Sequence, residues 1–154
     1  MHDLNLYENK IIEDKEFPVQ MFVNRINKPC LYCSNHWHEH IEIHYVFEGE
    51  GVFWINRKPI EAGQGCLIIV NGNELHGAKS ISKYFEALVL IFEMEAFSKE
   101  IADYHVIFPS MIVQDERINA FLTEIHHEEK ARRFGYKLAL KGKIYELISY
   151  LLRN

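Results

Sequence analysis

The chain reads as mainly β: a sandwich or barrel of short strands followed by a C-terminal α-helical hairpin. Three observations predict this. From about residue 17 to 92, short apolar or alternating runs are broken by turn residues, a spacing that suits a sandwich or barrel better than alternating β-α-β units. After Phe92 the apolar period changes, and from Asp115 it becomes helical. Within the first of these regions, in His36-Trp37-His38-Glu39-His40-Ile41-Glu42-Ile43-His44, metal-ligand types fall on every second position. That is the period of a strand, whose successive side chains point to opposite faces.

Taken in order, Met21 to Ile26 forms a first strand and Leu31 to Ser34 a short second one. Glu42 to Phe47, rich in Ile, Tyr, Val and Phe, is strongly β-like. Gly49-Glu50-Gly51 gives the permissive backbone of a turn or bulge, and Val52 to Ile55 returns as the next strand. Asn56-Arg57-Lys58-Pro59 reads as a hairpin turn and Ala62-Gly63-Gln64-Gly65 as a second break. Cys66 to Val70 and Tyr84 to Phe92 are apolar strands flanking the Asn71-Gly72-Asn73 turn and His76. Glu95 to Tyr104 is a short helix, and Val106 to Pro109 a brief extended piece.

Asp115 is placed to cap a helix carrying Ile118, Phe121, Leu122 and Ile125 on one side. Gly135 breaks it from a second helix bearing Leu138, Ile144, Leu147, Ile148, Leu151 and Leu152. The two make an αα-hairpin. The last helical segment runs to Asn154 with no Gly or Pro to stop it, the pattern expected of a cut chain or split gene, or of a natural short form.

At 154 residues, 48% hydrophobic and 13% aromatic, the chain has the size and composition of one globular domain. A net charge of −5 argues against nucleic-acid binding by this chain alone, which needs clustered Lys and Arg. Lys130, Arg132 and Arg133 follow Glu128 and Glu129 and read as a solvated helix end. Met1 to Lys10 does not resemble a signal peptide, and the apolar runs are too short to cross a bilayer, so a cytoplasmic location is expected. The 3 cysteines suit a reducing compartment rather than a disulfide framework. Cys30-Leu31-Tyr32-Cys33 has CxxC spacing but lacks the helix start of a redox site, and Cys66 reads as a small core residue.

On strand parity, His36, His38, His40, Glu42 and His44 share one face, while Trp37, Ile41, Ile43, Tyr45 and Phe47 take the other. Imidazoles and a carboxylate converging on one face make a metal or polar-ligand site; the alternative is an exposed face of an antiparallel sheet. His40 and His44 are candidates to orient the ligands or to touch an effector. Tyr45 and Trp54 are candidates to stack on a ligand ring, with core packing the alternative. His126-His127, adjacent on a helix, reads as surface.

The spacing His36-x-His38, three residues, Glu42, six residues, Gly49 follows the first motif of the cupin superfamily. In the second motif Gly65 opens, Asn71 and Asn73 stand where Pro and Gly are usual, and His76 closes. The chain therefore resembles a cupin, a jelly-roll β-barrel, with His36, His38, Glu42 and His76 at the ligand positions. Imidazole with carboxylate suits Zn, Ni, Fe, Mn or Cu, and a metal-free pocket that hydrogen-bonds a small molecule is the alternative. Within that superfamily, His-Trp-His-Glu-His-Ile-Glu-Ile, Phe47 to Gly51, Asn73-Glu74-Leu75-His76 and the two later helices are similar to the N-terminal sensing domain of AraC-type transcription regulators, over roughly residues 15 to 154. Such domains commonly have Pro where this chain has Gly72.

The resemblance implies a division into an N-terminal arm (1–16), a barrel holding effector or metal (17–110) and a dimerisation hairpin (111–154). It implies a small-molecule effector, frequently a sugar, and a homodimer formed through Leu138, Ile144, Leu147, Ile148 and Leu151. DNA would be reached only through helix-turn-helix units absent from this sequence. Residues 1–16 could be an arm that responds to ligand, or a disordered terminus. The expected role is regulatory rather than enzymatic; the rival is a free-standing metal-dependent cupin enzyme of the isomerase or dioxygenase type.

Overall fold

The computed structural model describes residues 3–154 and divides into two units, Met1–Val113 and Gln114–Asn154. In the first, strands β1 (Gln20–Ile26), β8 (Phe85–Phe92), β3 (Ile41–Glu48), β6 (Cys66–Val70) and β9 (Met111–Val113) form one antiparallel sheet in that order. Strands β2 (Cys30–His36), β7 (His76–Ser80), β4 (Gly51–Ile55) and β5 (Lys58–Ala62) form the other. The two sheets make a jelly roll.

The core lies between them. Val46, Ile68, Val70, Phe85 and Ala87 from the first sheet meet Phe53, Ile55, Ala62 and Ala78 from the second, all buried. Parity does the rest: Glu42 and His44 share the face of Val46, so they continue the apolar interior toward one end of the barrel as a polar layer. Tyr45 and Phe47 pack edge-on at 5.2 Å on the opposite side of β3.

The turn chemistry explains where strands begin. Asn56 and Arg57 both adopt positive φ (49° and 70°), the demand of a two-residue hairpin loop, so the turn ends there and Lys58 begins β5. The turn is therefore shorter than the Asn56-to-Pro59 span expected from sequence. Pro59 is tolerated in β5 because this is an edge strand, where a missing donor breaks no second ladder. Strand β7 is small and polar, His76-Gly77-Ala78-Lys79-Ser80, and carries no alternation that a sequence could display. Gly49, at φ +85°, joins β3 to β4 where an added Cβ would collide with the carbonyl oxygen of Tyr84.

The expected helix over Glu95 to Tyr104 is interrupted. Met94–Ala96 forms a 3-10 turn, and Ser98 then caps α1 (Lys99–Asp103) by accepting from the Ile101 amide. Met111–Val113 pairs with β6, so the first unit extends past residue 110 to Val113.

The second unit is the anticipated hairpin, α2 (Glu116–Ala131) and α3 (Tyr136–Arg153). The Asp115 carboxylate accepts from the amides of Arg117 and Ile118 at 2.9 and 3.0 Å, satisfying two free donors of the first turn. Arg132 ends α2 in the left-handed region, and Gly135, also at positive φ, starts α3. Ile144, Leu147, Ile148 and Leu151 are buried within the protomer, whereas Leu138 is 77% exposed. Four of the five residues expected at a subunit contact therefore serve the chain's own packing. Among the described residues no helix is long and apolar enough to cross a membrane.

Candidate metal and effector site

The histidine-rich segment is not one strand. Strand β2 ends at His36, the chain crosses from the four-stranded to the five-stranded sheet through Trp37 to His40, and β3 begins at Ile41. His36 pairs across the sheet with His76, the first residue of β7. Glu42 enters from the opposite sheet, and His38 comes from the crossing itself. The four candidate ligands thus arise from β2, the link, β3 and β7, and their donor atoms all lie within 4.8 Å of one another.

The link is clamped from below. The carbonyl of His38 accepts from the Asn73 amide at 2.8 Å. Gly72 passes so close to the carbonyl of Glu39 that any Cβ would strike it. Asn71, where the cupin motif has Pro, is buried and clamps Phe108: its Oδ1 accepts from the Phe108 amide at 2.8 Å and its Nδ2 donates to the Phe108 carbonyl at 2.9 Å. Glu74 closes the turn by accepting from the Asn71 amide at 2.7 Å.

Each imidazole is oriented by a backbone carbonyl. Nδ1 of His36 lies 2.9 Å from the Ser34 oxygen, that of His38 3.1 Å from the His40 oxygen, and that of His76 2.9 Å from the Glu74 oxygen. A carbonyl can only accept, so each Nδ1 carries a proton; Nε2 then offers a lone pair when the ring is neutral and donates to the carboxylate only when the ring is protonated. Nε2 of His38 and of His76 both approach Glu42 Oε2, at 2.9 and 2.8 Å, while His44 Nε2 lies 3.1 Å from Oε1. Burial pushes the Glu42 carboxyl upward, but the hydrogen bonds from His38, His44 and His76 outweigh it and hold the group well below its ordinary range. Burial lowers His76, but its bond to Glu42 prevails and raises it. For His36 burial wins, and its pKa falls.

Sequence reading placed the other candidates less well. His44 does join the cluster, through Glu42; its Nδ1 has no hydrogen-bond partner and its ring meets Phe53 edge-on at 5.0 Å. His40 leaves it: the bend at Glu39 and His40 turns its Nε2 to within 3.2 Å of Glu93. Tyr45 lies on the opposite side of β3 from Glu42 and His44. Trp54 alternates with the interior residues Phe53 and Ile55, and carries the Lys79 ammonium 5.6 Å above its ring. Neither aromatic reaches the cluster.

Two neighbours were missed. Glu8 places Oε2 3.3 Å from His36 Nε2. It is held there because Tyr7 bridges Trp37 and the Glu8 amide donates to the Trp37 carbonyl at 2.9 Å, contacts between residues far apart in sequence that no local pattern announces. Asp3 caps the 3-10 turn Leu4–Leu6, and Tyr7 and Glu8 lie against Trp37; Met1 and His2 of the expected 1–16 arm lie outside the described residues. Tyr32, on β2, packs its ring 5.7 Å from Phe85 and has a buried hydroxyl with no partner. Its neighbour Cys33, with Sγ 3.7 Å from His36 Nδ1, is pushed up to about 11 by burial and stays a thiol at neutral pH.

Two facing sheets with a three-histidine, one-glutamate cluster at one end define a cupin. Residues 21–148 match the AraC-like ligand binding domain, and the chain belongs to that family. A 78-residue stretch, half of this chain, is 32% identical to the uncharacterized HTH-type transcriptional regulator YdeC of Bacillus subtilis (strain 168) and spans 27% of that regulator's length. Among solved structures, ToxT from Vibrio cholerae superposes with a TM-score of 0.54 at 14% identity, over 70% of this chain and 47% of that one. An RmlC-like cupin from Shewanella frigidimarina gives a TM-score of 0.46 at 18% identity, over 49% of this chain and 67% of that one. At such identities the structural likeness speaks for the fold alone.

Proposed function

We propose that this chain is the effector-sensing and dimerisation domain of an AraC-like transcription regulator, and that His36, His38, Glu42 and His76 hold one divalent transition metal at which a small-molecule effector is recognised. One observation carries the metal. Three imidazoles have committed Nδ1–H to carbonyls, and two of them aim Nε2 at the same carboxylate oxygen. In their neutral forms these are lone pairs facing an anion, a repulsive arrangement. Protonation relieves it at the cost of buried charge; a bound cation relieves it for all the donors at once.

A metal held there would supply Lewis acidity and a docking point for an oxygen ligand such as a sugar hydroxyl or a carboxylate. His44 holds the free oxygen of Glu42 and so keeps that carboxylate aimed. Glu8, resting on His36, gives the N-terminal arm a direct contact with the site, so effector binding would bias the arm between two positions. The dimer contact would run through the exposed side of α3 that carries Leu138 and Tyr145, one heptad apart, rather than through the buried residues.

The test is metal analysis of untagged protein purified without chelator, beside a His38→Ala variant. About one equivalent of Zn, Ni, Fe, Mn or Cu, lost in the variant, supports the reading. Metal-free, stable protein overturns the metal and leaves an organic-ligand sensor. Turnover of a substrate by a tightly held redox-active metal would favour the cupin-enzyme alternative. Arm cleavage by protease that is unchanged at effector saturation would remove the arm from the mechanism.

A further inference from the structure

His40 turns away from the inner cluster and lines a cavity outside it. This space, of about 630 Å³, lies between the segment containing Ile12, Lys15 and Pro18 and the corner after β8 that carries Glu93, Glu95 and Ala96, with His40 on its wall. The volume is that of a small-molecule pocket. His40 is the built element: it is 3% exposed, its Nε2 stands 3.2 Å from Glu93 Oε1, and its Nδ1 has no hydrogen-bond partner. The buried His40 ring thus fixes Glu93 at the cavity wall by holding Oε1.

The charges say what kind of ligand suits the pocket. Glu93 and Glu95 stand on the β8 side and Lys15 on the arm side. Glu93 meets His40 through Oε1 and keeps 52% of its side chain exposed. Glu95 has a distant, solvent-screened pairing with Lys99 at 3.8 Å. Ile12, Pro18 and Ala96 add apolar surface. A ligand carrying only a cation would meet Lys15 unfavourably, and one carrying only an anion would meet two carboxylates. A ligand with both charges and an apolar body suits the two carboxylates, the ammonium and the apolar residues together.

We propose that this outer pocket binds a small zwitterion with an apolar side chain, an α-amino acid, its ammonium toward Glu93 and Glu95, its carboxylate toward Lys15 and its side chain on Ile12, Pro18 and Ala96. Because the pocket joins the arm-side segment to the barrel, such a ligand fastens the two. His38 and His40 rings are 5.8 Å apart, so the outer site borders the inner one without sharing a donor.

The experiment is calorimetric titration of the purified chain with L-leucine and L-phenylalanine. Isocaproate and isoamylamine, which keep the leucine side chain and drop one charge each, serve as controls. Saturable one-to-one binding of either amino acid is expected, weakened about threefold or more in Glu93→Gln and in Lys15→Met, as partly solvated charge contacts allow. Each single-charge analogue should bind more weakly than leucine. No saturation by either amino acid up to about 10 mM, a weak limit for a specific site, overturns the proposal; so does binding indifferent to both pocket substitutions.

Discussion

Asn71→Ala removes the side chain on which the geometry beneath the inner site depends. Asn71 is 4% exposed and Phe108, which it holds, 6%. Truncation deletes the acceptor for the Phe108 amide and the donor to the Phe108 carbonyl, hydrogen bonds of 2.8 and 2.9 Å, and leaves both backbone groups buried. An unsatisfied buried polar group costs about 1–3 kcal/mol, so the two together cost about 2–5 kcal/mol once partial overlap is allowed for. A water entering the vacated space moves the result toward the lower end. For a chain of this size, that is a fall of about 4–20 °C in melting temperature. The assay is thermal unfolding of chelator-treated parent and variant, followed by circular dichroism. The loss should also reach the site, since the turn from Asn71 to Glu74 carries His76 and supports His38. A drop below about 2 °C would refute the reasoning, because Phe108 would then be held by something other than Asn71.

Three further outcomes are expected. Gly49→Ala combines a positive φ with a collision against Tyr84, and should cost more than the roughly 1 kcal/mol of an ordinary left-handed alanine; urea denaturation measures it, and a parent-like midpoint would contradict the turn geometry. In chelator-treated protein, depressed Glu42 contributes stability above its ordinary value of 4.5 and loses it as pH falls through its lower folded value; raised His76 contributes below its ordinary 6.5 and loses it as pH rises through its higher folded value. His36 and His40, both lowered by burial, act the other way below 6.5, so the readout is a difference: the gap in melting temperature between parent and Glu42→Gln should be widest between pH 4.5 and 6.5, and a gap independent of pH would remove the coupling. Leu138→Glu places a charge on the exposed side of α3; light scattering should show a dimer in the parent and a monomer in the variant, and an unaltered dimer would move the contact elsewhere.

Much of this could be read before any coordinates. Residue type and spacing together picked out His36, His38, Glu42 and His76, because few patterns put four metal-ligand types into two motifs a barrel's length apart. The helical hairpin and its Asp115 cap were legible for a similar reason: a 3.6-residue period and a capping carboxylate are local signals. The strands that escaped notice lack such signals. Strand β7 is too small and polar to alternate, β5 carries Pro59, and β9 is only 3 residues long.

What the sequence by itself determined is chemistry and period: a β-rich body, a helical pair, and a set of donors able to hold a metal or a polar ligand. What only the tertiary structure decided is who meets whom. His38 and His40 have the same residue type and parity, yet one turns to Glu42 and the other to Glu93, because the chain crosses between sheets at that bend. Glu8 reaches His36 only because Tyr7 bridges Trp37. Period and capping depend on neighbours a few residues away; these encounters depend on closing loops of tens of residues against packed sheets, and that outcome is written in the whole chain rather than in any stretch of it.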